Sequence, residues 1–193
     1  MTMTPRKVYL DNSATTKVDS KVLEAMLPYF SEEYGNPNSL HAWGREARKG
    51  VDHARAQVAQ LIGADPKEII FTGGGSEADN LAIKGAAWAL KDKGKHIITS
   101  AIEHHALLDT VKWLGKNGYE YTILPVDETG LVDPKELEAA IRPDTILASI
   151  MFANNEIGTI QPVAELGEVC RRHGVLFHTD GVQATGHVKI DMK

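Results

Sequence analysis

The amino-acid sequence predicts an α/β fold, a mostly parallel, doubly wound sheet in three layers. Three observations lead there. Turn signals and short β-branched runs alternate with segments of helical periodicity along all 193 residues. The helical segments between the apolar runs are about ten to fifteen residues long, the length of a βαβ crossover. Such crossovers are right-handed in nearly every case, which makes a doubly wound three-layer domain the simplest way to stack them.

Taken in order, KVYLD (7–11) reads as a short initial strand. SKVLEAMLPYFSEEYG (20–35) carries Val22, Leu23, Met26, Leu27 and Phe30 on one helical stripe. GNPNS (35–39) is a loop by composition. A long amphipathic helix follows, with Val51, Ala54, Val58, Leu61 and Ile62 expected to face inward. Strand–helix pairs then succeed one another. EIIFT (68–72) precedes SEADNLAIKGAAWAL, HIITS (96–100) precedes HALLDTVKWLG, and EYTILPV (120–126) precedes DPKELEAAI. TILASIMFA (145–153) leads to PVAELGEVCRRHG, and VLFHTD (175–180) closes the series. No repeat, low-complexity tract or linker interrupts them, and VDETGLVDP is an exposed turn.

Composition bounds the function. A hydrophobic content of 42% with 24% charged residues is that of an ordinary globular protein. The net charge of −5, without a Lys/Arg stripe, argues against nucleic acid as the partner. RKGVDHAR is locally basic and reads as a solvated helix face. The N-terminus lacks an apolar signal region, and no apolar run approaches membrane-spanning length, so no membrane partner is expected. The single cysteine, Cys170, leaves no internal disulfide and suits a reducing cytoplasm.

In doubly wound sheets ligands sit beyond the carboxyl ends of the strands, so the residues after each strand carry the functional signal. FTGGGSEADN is a strand end, three glycines and a helix start, with Ser76 near the N-cap. Glycines allow close backbone approach, and the unpaired N–H groups of a helix N-terminus suit a phosphate. An ordinary glycine turn with a serine cap would show the same pattern. Gly73-x-Gly75-x-x-Ala78 also matches the dinucleotide fingerprint, but outside the first βα unit and without an acid closing the next strand.

SAIEHHALL places Glu103, His104 and His105 at the next strand end. Adjacent histidines cannot both ligate one metal comfortably, and no zinc-type spacing accompanies them, so no metal is expected. Beside a phosphate turn, a ring that stacks and moves protons gains interest, although a lone strand-end histidine is commonly structural. Asn154, Asn155 and Glu156 follow another strand, where paired asparagines can also serve simply as turn formers. Asp180 and Gln183 complete the set. An ionised acid at the back of a cleft is costly unless a positive group meets it. The pyridinium nitrogen of pyridoxal phosphate is such a group, and an acid beneath the ring keeps it protonated. Phosphate at Gly75 and Ser76, a ring face at His104, hydrogen bonds from Asn155 and Gln183, and Asp180 as counter-charge would form one site.

On these residues the chain resembles the cysteine desulfurases, a branch of the class V aminotransferase-like pyridoxal phosphate enzymes. The segments carrying the resemblance are YLDNSATTKVD, YGNPNSLH, FTGGGSEADNLAIKG, IITSAIEHHALLDT, SIMFANNEIGTIQP and HTDGVQATGHVKID, spread over nearly the whole length. It implies that residues 1–193 form the N-terminal segment and most of the large cofactor-binding domain, the remainder of that domain and a small C-terminal domain lying beyond. It assigns Gly75 and Ser76 to the phosphate, where the family more often has Ala-Thr. His104 becomes the stacking and acid–base histidine, Asn155 and Gln183 ligands around the phenolic oxygen, and Asp180 the ring-nitrogen partner. It brings Asn36 toward the substrate carboxylate.

The implied reaction takes L-cysteine to L-alanine and leaves the sulfur on an enzyme thiol, for iron–sulfur cluster or thio-cofactor assembly through acceptor or scaffold proteins. It also implies a homodimer. The family's Ser-x-His-Lys motif, whose lysine holds the cofactor covalently, does not occur before Lys193, and KIDMK has neither its serine nor its histidine. Cys170 lies in a helix with apolar spacing and reads as a small buried residue rather than the nucleophile. The expectation is the front portion of a longer enzyme, inactive alone, with an unpaired sheet edge that favours association. A selenocysteine lyase, an aminotransferase, a non-catalytic dimerisation module and a nicotinamide-binding domain are the competing readings.

Overall fold

Four of the apolar runs pair into one parallel sheet in the computed structural model, which describes residues 6–192. They are β1 (His96–Ser100), β2 (Glu120–Leu124), β3 (Thr145–Ser149) and β4 (Leu176–His178), in the order β2-β1-β3-β4. Every residue of β1 and β3 is buried, while β2 and β4 form the more exposed margins.

Helices cover both faces, as the alternation of side chains along a strand requires. On one face, α4 (Gly75–Ala89) and α5 (His105–Lys116) pack Ile83, Ala87, Leu107, Val111 and Leu114 against Ile97 and Leu147. On the other, α6 (Pro134–Ala140) and α7 (Val163–His173) bring Leu137, Leu166, Val169 and Cys170 onto Ile98, Ala148 and Ile150. Each fully buried Leu or Ile contributes about 1.5–3 kcal/mol relative to exposure. The three-layer α/β architecture is therefore observed.

The chain leaves β1 toward β2 and leaves β3 toward β4, on opposite sides. The carboxyl ends of β1 and β3 thus lie at a topological switch point, where α/β sheets open a crevice. This unit comprises Ile70–Lys189. The residues up to Ile69, with those from Ile190 on, make a separate compact unit built on α1 (Ser20–Met26), α2 (Pro28–Ser31) and α3 (Ala42–Ile62).

Several elements differ from expectation. Neither KVYLD nor EIIFT is a strand. The latter begins as a 3₁₀ turn, Pro66–Glu68, closed by a capping box from Asp65, and continues as extended chain with Ile70 and Phe71 exposed. A strand exists only where a neighbour takes its backbone N–H and C=O groups, and no ladder forms there among the described residues. The helix expected over 20–35 is split at Leu27–Pro28, because Pro28 lacks the N–H needed to continue α1 and instead starts α2. Its apolar stripe of Val22, Leu23, Met26, Leu27 and Phe30 is exposed. In α3 the buried residues are Gly44, Ala47 and Ala59, whereas Val58 and Leu61 of the expected inner face are exposed. Periodicity located these helices, but a stripe is buried only where another element covers it. Lys193 lies outside the described residues.

Candidate functional site

The glycine turn feeds directly into α4. Gly74 occupies the N-cap without a side-chain cap, so Ser76 is the second helical residue rather than the cap itself. The first N–H groups of this helix have no intrahelical acceptor, and its dipole points their positive end at the turn. Glu77 Oε2 accepts the Gly73 N–H at 2.6 Å and tightens the loop. Ser76 is exposed, its hydroxyl free of hydrogen bonds among the described residues. A Cβ on Gly75 would stand 2.9 Å from Val182 Cγ2. The absence of a side chain at Gly75 thus lets the turn after β4 close onto the start of α4, joining two segments far apart in sequence.

At the ends of β1 and β3 the crevice is tied across by Glu103 and Asn154. Glu103 Oε1 accepts from Ser100 Oγ at 2.5 Å and from the Met151 N–H at 2.8 Å, which bridges the two central strands. Its Oε2 is buried without a partner among the described residues. Burial pushes the Glu103 carboxyl up to about 7 against the pull of these bonds, and the charges of Asp180 and Asp79 add to the push. Asn154 Nδ2 donates to the Ile102 carbonyl at 2.9 Å, and its Oδ1 accepts the N–H groups of Glu156 and Ile157. Asn154 is therefore a loop tie, which leaves Asn155 as the asparagine whose half-buried amide has no hydrogen bond among the described residues.

His104 caps α5, its Nδ1 accepting the Ala106 N–H at 3.1 Å. A ring that accepts at Nδ1 carries its neutral-form proton on Nε2. His104 and Ser76 both line a cleft of about 440 Å³ between α4 and α5, with Asn80, Lys84, Thr110 and Trp113. Asp180 does not line that cleft.

Asp180 follows β4 and is 8% exposed. Its Oδ1 accepts the Val182 N–H at 2.9 Å, so the residue that meets Gly75 also orients the carboxylate. Two residues that the sequence pattern does not single out feel its charge. His178, on β4, pairs Nδ1 with Ser149 Oγ at 2.7 Å and places Nε2 3.9 Å from Asp79 Oδ1. Asp79, 4% exposed, is raised to about 6 by burial and by the charge of Asp180, while His104 pulls the other way. Burial holds His178 below the ordinary histidine range, against the opposing charge of Asp180. The signal for Asp79 was present: it continues the buried Ile83–Ala87 stripe of α4 at i, i+4 spacing.

The structure thus sets Ser76 and His104 on one cleft that Asp180 does not line, brings Val182 of the turn after Asp180 against Gly75, and leaves half-buried Gln183 in that turn and half-buried Asn155 beyond β3. Asn36 belongs to the other unit, where its Oδ1 accepts the Asn38 N–H. Among the described residues no group of His, Cys, Asp and Glu could hold a metal ion, and no helix is long and apolar enough to cross a membrane.

Comparison with known proteins bears on this arrangement. The family model for aminotransferase class-V matches residues 8–193. A cysteine desulfurase IscS from Methanosarcina thermophila is 58% identical over 97% of this chain and 46% of its own length. A putative cysteine desulfurase IscS 1 from Bacillus subtilis is 54% identical over 97% of the chain and 49% of its own length. Among solved structures, a NifS-like protein superposes with a TM-score of 0.93 at 42% identity, covering 97% of this chain and 52% of that one. SspA, solved in complex with cysteine, gives a TM-score of 0.90 at 41% identity, over 93% and 52% of the two chains. The chain spans about half the length of the curated relatives it matches.

Proposed function

The chain belongs to the class-V aminotransferase family, and on that premise we propose that it supplies the N-terminal, cofactor-holding part of a pyridoxal-phosphate-dependent cysteine desulfurase. One observation carries the reading. A buried carboxylate at the end of β4 is oriented by Val182, the residue that also closes onto the glycine turn of α4.

The residues fit the cofactor by charge. The charge of Asp180 bears on both Asp79 and Glu103, and among the described residues no lysine or arginine bears on either. A buried acidic group so arranged favours a cation, which the protonated ring nitrogen provides. When bound, pyridoxal phosphate supplies an electron sink for a carbanion next to the substrate nitrogen. Asp180 would hold the ring nitrogen, and the first-turn N–H groups of α4 with the Ser76 hydroxyl would hold the phosphate. His104, with its proton on Nε2, would face the ring and exchange protons with substrate. The amides of Asn155 and Gln183, without hydrogen bonds among the described residues, would donate to the phenolic oxygen, and Asn36 would meet the substrate carboxylate.

The net change is L-cysteine plus an enzyme thiol giving L-alanine and an enzyme persulfide, with atoms and electrons balanced. Cys170 is not that thiol, since it is fully buried and burial pushes it up to about 11. The single buried cysteine suits a cytoplasmic setting, and a homodimer that passes sulfur to acceptor or scaffold proteins follows from the same reading. The polypeptide that carries this chain together with the Ser-x-His-Lys motif, given pyridoxal phosphate, L-cysteine and dithiothreitol, should release sulfide and alanine in equal amounts. The 193 residues alone should release none. Formation of a keto acid instead of alanine would contradict the assignment.

A further inference from the structure

Between the end of β1 and the start of α5 the chain turns through residues 101–104, and the acid among them is buried. Glu103 is 6% exposed, and among the described residues no lysine or arginine bears on it. A glutamate so placed is uncommon and costly. The turn does not need it to satisfy its own backbone, since the Ala101 N–H donates to the Leu124 carbonyl at 3.0 Å. The side chain instead reaches across to the extension of β3, where Oε1 accepts the Met151 N–H while also accepting from Ser100 Oγ. A second tie joins the same two segments, from Asn154 Nδ2 to the Ile102 carbonyl. The β3 extension is tied in turn to the end of β4, because the Phe152 N–H donates to the Asp180 carbonyl at 2.8 Å. Hydrogen bonds therefore run across three strand ends, from Glu103 to Asp180.

His104 follows Glu103 directly. Its backbone is extended (φ −60°, ψ 146°) as the cap of α5, and its ring is held by the Ala106 N–H. The cap fixes the ring on the helix, and the Glu103 tie fixes the start of that helix on the sheet. We propose that Glu103 is a positioning residue: by accepting from Ser100 and Met151 it sets where His104 stands relative to Asn155 and Asp180, and so shapes the space for the cofactor ring. The inference rests on the reading of those three residues as cofactor contacts. One oxygen accepts both bonds, so the role belongs to the acceptor and not to the charge. Without it a hydroxyl and an N–H would be buried unpaired, and the strand ends would be released from one another. A binding constellation works only when its members are held to within about 0.5 Å.

The test uses the full-length protein, with its affinity for pyridoxal phosphate and the visible circular dichroism of the bound cofactor as readouts. His104→Ala should weaken cofactor binding about tenfold, the size of one aromatic contact. Glu103→Met, which keeps the volume and removes the acceptor, should do the same and alter the dichroism. The double variant should lose no more than the larger single effect, because Glu103 acts through His104. Glu103→Gln keeps the acceptor and should bind within about twofold of wild type. If His104→Ala weakens binding while Glu103→Met binds like wild type, or if their losses multiply, this inference is overturned and the parent reading stands. A glutamine as poor as methionine overturns it too, since charge would then be the agent. If His104→Ala binds like wild type, the reading of His104 as a cofactor contact falls. Should Glu103→Met fail to fold, Ser100→Ala takes its place, removing one donor and leaving the Met151 bond. A loss of about threefold that does not add to that of His104→Ala supports the inference, and wild-type binding or an additive loss overturns it.

Discussion

Replacing Glu103 by glutamine should stabilise the cofactor-free protein at alkaline pH and leave it unchanged in acid. The carboxyl bridges Ser100 and Met151 through one oxygen, and a glutamine Oε1 can accept both bonds. The second position is buried and unpartnered in either side chain. What differs is ionisation. The folded-state pKa is raised, from 4.5 to about 7, chiefly by burial. The folded protein therefore binds this proton more tightly than the unfolded chain, and stability falls as pH rises between those two values. Above pH 7 the penalty is complete, and the displacement corresponds to about 3 kcal/mol. Glutamine carries no such penalty. Urea unfolding of wild type and Glu103→Gln at pH 4.5, 6 and 8 measures it directly. The difference in stability should be near zero at the lowest pH and grow to about 3 kcal/mol in favour of glutamine at the highest. A pH-independent difference, or a loss at pH 8, would refute the claim that an ionisable carboxyl is held against its charge at the switch point.

Leu107→Ala removes a fully buried side chain from the α4–α5 layer and should cost about 3 kcal/mol in urea unfolding, a cavity effect with no pH dependence. Cys170 should resist iodoacetamide at pH 8 in the folded protein and react once urea exposes it, read by mass spectrometry; rapid labelling of the native chain would show the thiol is not enclosed by α7.

The central strands were legible because HIITS and TILAS are short, apolar and framed by turn residues, and both are buried throughout. KVYLD and EIIFT carry the same local signal but have no ladder, since β structure depends on a partner that no local pattern can report. The α1–α2 stripe shows the same limit for helices, where periodicity gives the element and its covering neighbour decides burial. At the candidate site, His104 and Asp180 stand out as polar residues after the apolar runs of β1 and β4, and Gly75 and Ser76 stand out as a glycine turn that opens a helix rather than as a strand end. Asp79 is signalled only by its place on the buried i, i+4 stripe of α4, and His178 by nothing local, because its hydrogen-bond partner Ser149 lies on another strand. Asn154 and Asn155 read alike as neighbours, and only the hydrogen bonds separate the loop tie from the other amide.

A crystal structure of the full-length protein with pyridoxal phosphate tests the central claim most directly. The ring nitrogen should lie about 2.7–2.9 Å from an Asp180 carboxylate oxygen, with the phosphate on the N–H groups at Gly75 and Ser76. A cofactor whose ring nitrogen faces away from Asp180, or whose phosphate lies off the α4 turn, would contradict it.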